Sequence, residues 1–132
     1  KNLLQIAAAL FFLATAHVVE AAEAKLRGEA VDIGVIEAAA RRLRDMPEGE
    51  RIDTVVLACT HFPLLEDELR AALGPEVQFV HGAQGIARRI AHLTQGQSFA
   101  ASQSSRFITT GNVQSVQALL PALKKHGVSG IE

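Results

Sequence analysis

The sequence predicts an α/β fold with parallel strands. Three observations support this prediction: a β-branched apolar run within residues 53–58, amphipathic segments of helical spacing on both sides of it, and Gly or Pro at the boundaries between segments. Helices that alternate with strands are typical of a parallel sheet, because each parallel connection needs a crossover that a helix usually supplies. A chain of 132 residues that is 48% hydrophobic is long and apolar enough for one domain with a core.

Two helices are predicted before the apolar run. The first covers residues 18–27 and ends at Gly28, a residue suited to a helix end. One of its faces is apolar and consists of Val18, Val19, Ala22 and Leu26. The second covers residues 33–45 and is broken by Met-Pro-Glu-Gly at 46–49. Its inward face is predicted to hold Ile36, Ala39, Ala40 and Leu43, with Arg41, Arg42 and Arg44 largely outward.

The central part of the chain predicts a strand, a helix and a second strand. The strand covers residues 53–58, and the helix covers residues 63–73 with Pro63 in its first turn. Glu66 and Arg70 are four residues apart on that helix and form a favourable pair. Gly-Pro at 74–75 ends the helix, and residues 77–80 form the next strand. The inward face of the helix is predicted to consist of Leu64, Leu65, Leu69 and Ala72.

Three more elements are predicted in the last third of the chain. A helix over residues 84–94 turns Ile86, Ile90 and Leu93 inward, and a polar loop follows over 95–105. Residues 106–109 form a strand, and the Thr-Thr-Gly sequence at 109–111 forms a turn. A final helix over 113–126 then begins after Asn112 as its N-cap and ends at Gly127.

Composition argues against several classes of function. The formal net charge is −1 and no Lys/Arg block exceeds two residues, so neither a nucleic-acid nor a membrane-surface partner is expected. The single Cys excludes an internal disulfide and suits a reducing cytoplasm. The His residues lack the spacing of metal ligands, so no zinc site is expected.

The first sixteen residues allow three interpretations. A largely apolar run over 3–14 precedes Ala-Thr-Ala at 14–16, which has the form of a signal-peptidase site. The run is shorter than the about 20 residues that span a bilayer. The alternatives to a signal peptide are a divergent buried helix, or sequence joined upstream of the original reading frame. A single basic residue and the absence of an initiator Met argue against the signal peptide.

Cys59, Thr60 and His61 are the candidates for chemistry. They follow a predicted strand and precede a predicted helix, which places them at the carboxyl edge of a parallel sheet, where open α/β sheets bind ligands. Free backbone N–H groups and the helix dipole favour a thiolate there. The alternatives are a buried structural cysteine, an N-cap or turn threonine and a surface histidine.

The sequence Ala-Cys-Thr-His-Phe-Pro-Leu-Leu at 58–65 resembles the second cysteine motif of the glutamate racemases, in the aspartate/glutamate racemase superfamily. Residues 20–32 resemble the segment that precedes this motif, and Arg-Phe-Ile-Thr-Thr-Gly at 106–111 resembles the strand and turn that open the family's last helix. The resemblance covers roughly residues 14–132 and concerns the second half of such an enzyme. It implies two lobes: residues 1–80 belong to the middle lobe, and residues 81–132 return to the first lobe.

The resemblance implies a cofactor-independent isomerase, a cytoplasmic enzyme that makes D-glutamate for bacterial cell-wall peptidoglycan and hence for cell shape. Two cysteines on opposite faces of glutamate exchange the α-proton, and Cys59 with His61 would supply one side. Thr60 and His61 would hold the substrate. No Asp-Ser-Gly turn or Cys-Asn-Thr motif is present, so the chain is expected to be incomplete and inactive alone.

Two other interpretations remain open at the level of sequence. One is a one-cysteine relative that decarboxylates malonates, since protonating a carbanion from one face needs one acid. The other is a remnant that folds without turning substrate over. The racemase resemblance implies glutamate as the small-molecule substrate and leaves room for a homodimer of the full-length enzyme. It also predicts that the part after residue 80 exposes apolar surface which a missing segment would cover.

Overall fold

The computed structural model describes residues 16–98 and 105–132. These residues form two separate pairs of parallel strands. The predictions for residues 1–15 and for most of the polar loop over 95–105 lie outside the described residues. In the first pair, β1 (Thr54–Val56) lies parallel to β2 (Gln78–Val80), with Val55 opposite Phe79. The backbone N–H of Leu57 donates to Val80 O at 2.8 Å, so pairing continues past the end of β1. The predicted α/β class with parallel strands is confirmed.

Helices α1 (Ala16–Leu26), α2 (Ile33–Arg44) and α3 (Glu66–Leu73) share one hydrophobic core with the first pair of strands. Gly28, with φ +79°, ends the first helix as predicted, and the Asp32 carboxylate caps the second by accepting from Gly34 N–H at 2.9 Å. The four inward residues predicted for α2 are all buried. The core contains Val18, Ala21, Ala22, Ile36, Ala39, Ala40, Leu43, Ile52, Val55, Leu57, Phe62, Leu65, Leu69, Leu73 and Val77.

Arg44 is half-buried, unlike the exposed Arg41 and Arg42, so the prediction that it lies largely outward holds only in part. Its guanidinium folds back over the chain that follows α2, where Nη1 donates to Gly49 O at 3.0 Å and to Ile52 O at 3.2 Å. Nη2 donates to Leu73 O at the end of α3. The five N–H donors of a guanidinium can satisfy several carbonyl oxygens at once, which explains why the side chain folds back onto the chain. Arg44 therefore ties the end of α2 to the approach to β1 and to the end of α3.

The helix predicted over residues 63–73 is divided into two parts. A 3₁₀ turn covers Phe62–Leu65, and α3 begins only at Glu66. Pro63 has no N–H to donate to the carbonyl four residues back. Leu64 N–H donates to His61 O, three residues back, at 3.0 Å, so the turn keeps the tighter pattern. In α3, the predicted pair forms: Arg70 Nη2 donates to Glu66 Oε1 at 2.8 Å.

Helix α4 (Ala83–Leu93) carries the apolar face that the sequence predicted, but that face is exposed. Ile86, Ile90 and Leu93 retain exposures of 62%, 56% and 60%, so the prediction that they turn inward was wrong. No described residue beyond Val77 is buried. The prediction of exposed apolar surface after residue 80 is confirmed.

The second strand pair forms a small β–helix–β unit. Strand β3 (Ser105–Phe107) runs parallel to β4 (Val128–Ile131), and the sequence had not predicted β4. The single helix predicted over 113–126 is instead α5 (Val113–Val116), a 3₁₀ turn (Gln117–Leu119) and α6 (Leu120–Lys124). Pro121 explains the interruption, because a proline inside a helix removes one hydrogen bond and clashes with the preceding turn. Asn112 caps α5 as predicted, accepting from Gln114 N–H at 2.9 Å.

Candidate functional site

The segment that contains Cys59, Thr60 and His61 joins β1 to the 3₁₀ turn that precedes α3. Because β1 and β2 are parallel, this segment and His81, which follows β2, lie at the same carboxyl edge of the strand pair. The predicted position of Cys59, after a parallel strand and before a helical turn that contains Pro63, is therefore confirmed. Cys59 is half-buried and packs against the core on one side.

Cys59 and His61 are in direct contact. The Cys59 Sγ lies 3.6 Å from His61 Nδ1, a hydrogen-bonding distance for sulfur. Backbone geometry helps to bring the two side chains together, since Phe62 N–H donates to Cys59 O at 3.3 Å and closes a tight turn around them. An imidazole nitrogen beside a thiol can accept its proton or return it.

Thr60 lies exposed between the two contacting residues. The alternative that it caps the following helix is wrong, since His61 precedes the 3₁₀ turn and Leu65 precedes α3. The alternative that it is a turn residue agrees with its place inside the turn closed by Phe62 N–H and Cys59 O. Its hydroxyl and backbone N–H lie at the same edge as the Cys59 thiol, where they can meet an anionic or polar ligand group. Its predicted role in holding substrate remains a prediction.

Glu23 is a neighbour of this segment that the sequence analysis missed. It lies on α1, and its Oε1 is 3.7 Å from His61 Nε2, within ion-pair range. Its other oxygen, Oε2, is 3.7 Å from Arg27 Nη1. Glu23 and His61 are far apart in sequence, and no spacing rule links them. The one indication was that Glu23 falls within the segment 20–32 that resembles the family.

Arg27 is held mainly by another carboxylate. Its Nε donates to Glu29 Oε1 at 2.9 Å and its Nη2 to Glu29 Oε2 at 3.0 Å. These hydrogen bonds raise the pKa of the Arg27 guanidinium and lower the pKa of the Glu29 carboxyl. The Glu23 carboxylate therefore lies between two cationic or potentially cationic side chains, at 3.7 Å from Arg27 Nη1 and 3.7 Å from His61 Nε2.

The described surface has other features besides this segment. A shallow groove between α2 and α3 is lined by Ile33, Glu37, Asp67, Glu68, Ala71 and Ala72, none of which carries a predicted role. In residues 16–98 and 105–132, no group of three His, Cys, Asp or Glu side chains is placed to hold a metal ion. Among the helices of these same ranges, none is long and apolar enough to span a bilayer.

Comparison with known proteins identifies relatives over most of the chain. No family model matches it. A glutamate racemase of Sphingopyxis alaskensis is 50% identical over 115 residues, which is 86% of this chain and 43% of that protein. A glutamate racemase of Salmonella typhimurium is 38% identical over 122 residues, or 91% of this chain and 42% of that protein.

Solved structures give the same result. The crystal structure of Escherichia coli glutamate racemase, in complex with L-glutamate and the activator UDP-MurNAc-Ala, matches with a TM-score of 0.79 at 35% identity. That match covers 89% of this chain and 44% of the Escherichia coli chain. A Bacillus anthracis glutamate racemase matches with a TM-score of 0.61 at 27% identity, over 86% and 42% of the two chains. The resemblance to the glutamate racemases is confirmed, and the chain spans under half the length of these relatives.

Proposed function

We propose that this chain, a relative of the glutamate racemases over most of its length, is the carboxy-terminal part of a cofactor-independent glutamate racemase. The observation that carries the proposal is the contact between Cys59 Sγ and His61 Nδ1, 3.6 Å apart at the carboxyl edge of a parallel strand pair. The relatives are amino-acid racemases, and the Escherichia coli structure contains L-glutamate. Glutamate is accordingly the proposed substrate.

The proposed chemistry is proton exchange at the α-carbon of glutamate. A thiolate at Cys59 removes the α-proton from one enantiomer, and the Cys59 thiol returns a proton to the carbanion formed from the other. His61 exchanges a proton with this thiol across the 3.6 Å contact. Thr60 offers a hydroxyl and an N–H at the same edge to hold the substrate carboxylate or amine. The reaction would take place in the cytoplasm, and its product, D-glutamate, would be used for peptidoglycan.

Inversion requires a second acid/base group on the opposite face of the α-carbon. This chain contains one Cys, which can serve one face only. The proposal is therefore that the second thiol belongs to the part of the enzyme that this chain does not span. On this proposal the 132 residues alone do not racemise glutamate, and they become active when the missing part is supplied.

The lobe assignment is proposed on the same basis. Residues 1–80 would belong to the middle lobe, and residues 81–132 would return to the first lobe. Two observations support this division: the described core ends at Val77, and α4 exposes Ile86, Ile90 and Leu93. An apolar helix face of this kind needs a cover in a stable protein, and the first lobe would supply it.

The test is complementation. This chain is combined with the part of the Sphingopyxis alaskensis relative that it does not match, and racemisation is followed from each enantiomer by optical rotation and by solvent deuterium incorporation at the α-carbon. We expect no turnover by this chain alone, turnover by the combination, and loss of turnover with Cys59→Ala or Thr60→Val. Thr110→Val, at another exposed threonine, should retain turnover. Sustained racemisation by this chain alone would contradict the two-thiol proposal.

A further inference from the structure

We infer that copies of this chain associate head to tail: the apolar face of α4 in one copy docks into the groove between α2 and α3 of the next. The apolar face consists of Ile86, Ile90 and Leu93, all exposed. The groove is lined by Ile33, Glu37, Asp67, Glu68, Ala71 and Ala72. The inference goes beyond the proposed function and uses none of its catalytic residues. In the proposed whole enzyme the first lobe covers α4, so this association concerns the chain on its own.

Helix α4 combines its apolar face with positive charge. It contains Arg88 and Arg89 but neither Asp nor Glu. Arg89 lies three residues after Ile86 and four before Leu93, spacings that make neighbours on a helix, so it borders the apolar face. None of the ion pairs within residues 16–98 and 105–132 involves Arg88 or Arg89. A partner that fits this face therefore has an apolar surface with an acidic border.

A second α4 does not have such a surface. If two copies packed their α4 faces against each other, the positive charge of both helices would meet in one interface, and neither helix carries a carboxylate to compensate it. Like charges brought together across an interface suppress the pairing. Pairing of α4 with α4 is therefore disfavoured, and a different surface of the second copy is needed.

The groove between α2 and α3 has the apolar surface. Its lining includes the small side chains Ala71 and Ala72, together with Ile33, which is 50% exposed. A second hollow shares both alanines and continues the groove toward the end of α2, beside Arg41. The two hollows have volumes of about 300 and 360 Å³. Small side chains leave room for the larger ones of another helix, and α4, with 11 residues, is similar in length to α2, with 12.

The acidic border lies at the first hollow. Glu37 on α2 and Asp67 on α3 are exposed there, and neither belongs to an ion pair in the part of the chain that the structure describes. Glu68 is already paired with Lys25 at 2.8 Å and adds little. If α4 begins beside Glu37 and Asp67, its partly positive N-terminus meets carboxylates and its partly negative C-terminus meets Arg41. Charge therefore favours both this groove and one direction of α4 within it.

The contact is heterologous, because the docking surface and the receiving surface are different. Each docked pair still has one open groove and one open α4, so association continues until the copies close into a ring or extend into a longer assembly. Sedimentation velocity at rising concentration should show species that grow beyond a dimer, and added salt should weaken them. A chain that stays monomeric at every concentration, with α4 covered by other residues of its own, would overturn the inference.

Mixing two variants tests the head-to-tail arrangement. Ile90→Asp disrupts the α4 face and keeps the groove, whereas Ala71→Arg fills the groove and keeps α4. Both positions are exposed, so neither change disturbs the core, and circular dichroism checks this. Each variant alone should be monomeric, and the mixture should form a complex that stops at one copy of each. Ala38→Arg, at an exposed alanine outside the groove, should associate as the unmodified chain does. A mixture that stays monomeric would contradict the inference.

Charge reversal tests the acidic border. Arg89→Glu should weaken self-association about three- to tenfold, because it replaces attraction to Glu37 and Asp67 with repulsion. Arg88→Glu is the matched control, since Arg88 lies on the other side of α4 from the apolar face, and it should leave association unchanged. Arg89→Glu combined with Asp67→Arg should recover most of the loss. Equal losses in the two single arginine variants, or no recovery in the combined one, would contradict the inference. None of these measurements uses racemisation, so their failure leaves the proposed function standing.

Discussion

Replacing Arg44 with Ala should destabilise the first strand pair and its helices far more than a surface substitution does. The Arg44 guanidinium donates to Gly49 O at 3.0 Å, to Ile52 O at 3.2 Å and to Leu73 O. A hydrogen bond to a charged group contributes about 1.5–3 kcal/mol when its partner would otherwise be left unpaired. Water can reach part of this half-buried site and replace some of the bonds. We therefore expect the free energy of unfolding to fall by about 2–4 kcal/mol.

Arg42→Ala is the matched control, because Arg42 lies exposed in the same last turn of α2. Both substitutions remove a cation from the helix end, a contribution of about 0.3–1 kcal/mol, so their difference isolates the carbonyl contacts. Urea unfolding followed by circular dichroism gives both values, with unchanged denaturant dependence as the check on two-state behaviour. Arg44→Lys keeps the charge without the planar fork and should recover only part of the loss. Equal midpoints for Arg44→Ala and Arg42→Ala would refute this account of Arg44.

Three further outcomes are expected. Gly49→Ala should destabilise the chain by about 2 kcal/mol or more, because the new Cβ would overlap the carbonyl oxygen of Leu43, and thermal unfolding would show the loss. The pKa of Glu29 is lowered, so its pairing with Arg27 is present above the usual carboxyl range and is lost as the pH falls through the lowered pKa. A ¹³C titration should place the midpoint of the Glu29 carboxyl below that of a glutamate in a peptide. Arg27→Ala should remove this difference. Pro121→Ala should raise the helical signal at 222 nm, because it restores an N–H to the interrupted helix; an unchanged spectrum would mean that the interruption has another cause.

The elements that the sequence predicted well are those whose apolar face is covered by nearby segments. In α2, the spacing of Ile36 and Leu43 predicted burial, and both are fully buried. The same kind of spacing placed Ile86 inward on α4, where it is exposed. Helical spacing identifies a face that favours apolar contact. It contains no information on which segment provides that contact, or whether that segment is part of the chain.

Of the residues at the candidate site, the sequence likewise predicted only those positioned by local segments. The positions of Cys59 and His61 followed from a strand, a turn and a proline, all of which are local in sequence. Glu23 approaches His61 only because α1 packs against the 3₁₀ turn of Phe62–Leu65, a contact between segments about 40 residues apart. Arg44 was missed for a related reason. Its acceptors are backbone carbonyl oxygens, which every residue carries and which no sequence pattern marks.

The restriction of the described core to residues between Val18 and Val77 has a consequence for how the chain opens locally. Amide protons in a native protein exchange with solvent through partial unfolding, and the cost of each opening follows the apolar surface that it exposes. Amides of β1 should therefore exchange only through global unfolding, whereas those of β3 and β4 should exchange through a smaller event of lower free energy. Cys59 would keep its surroundings while the last strands exchange their amides many times.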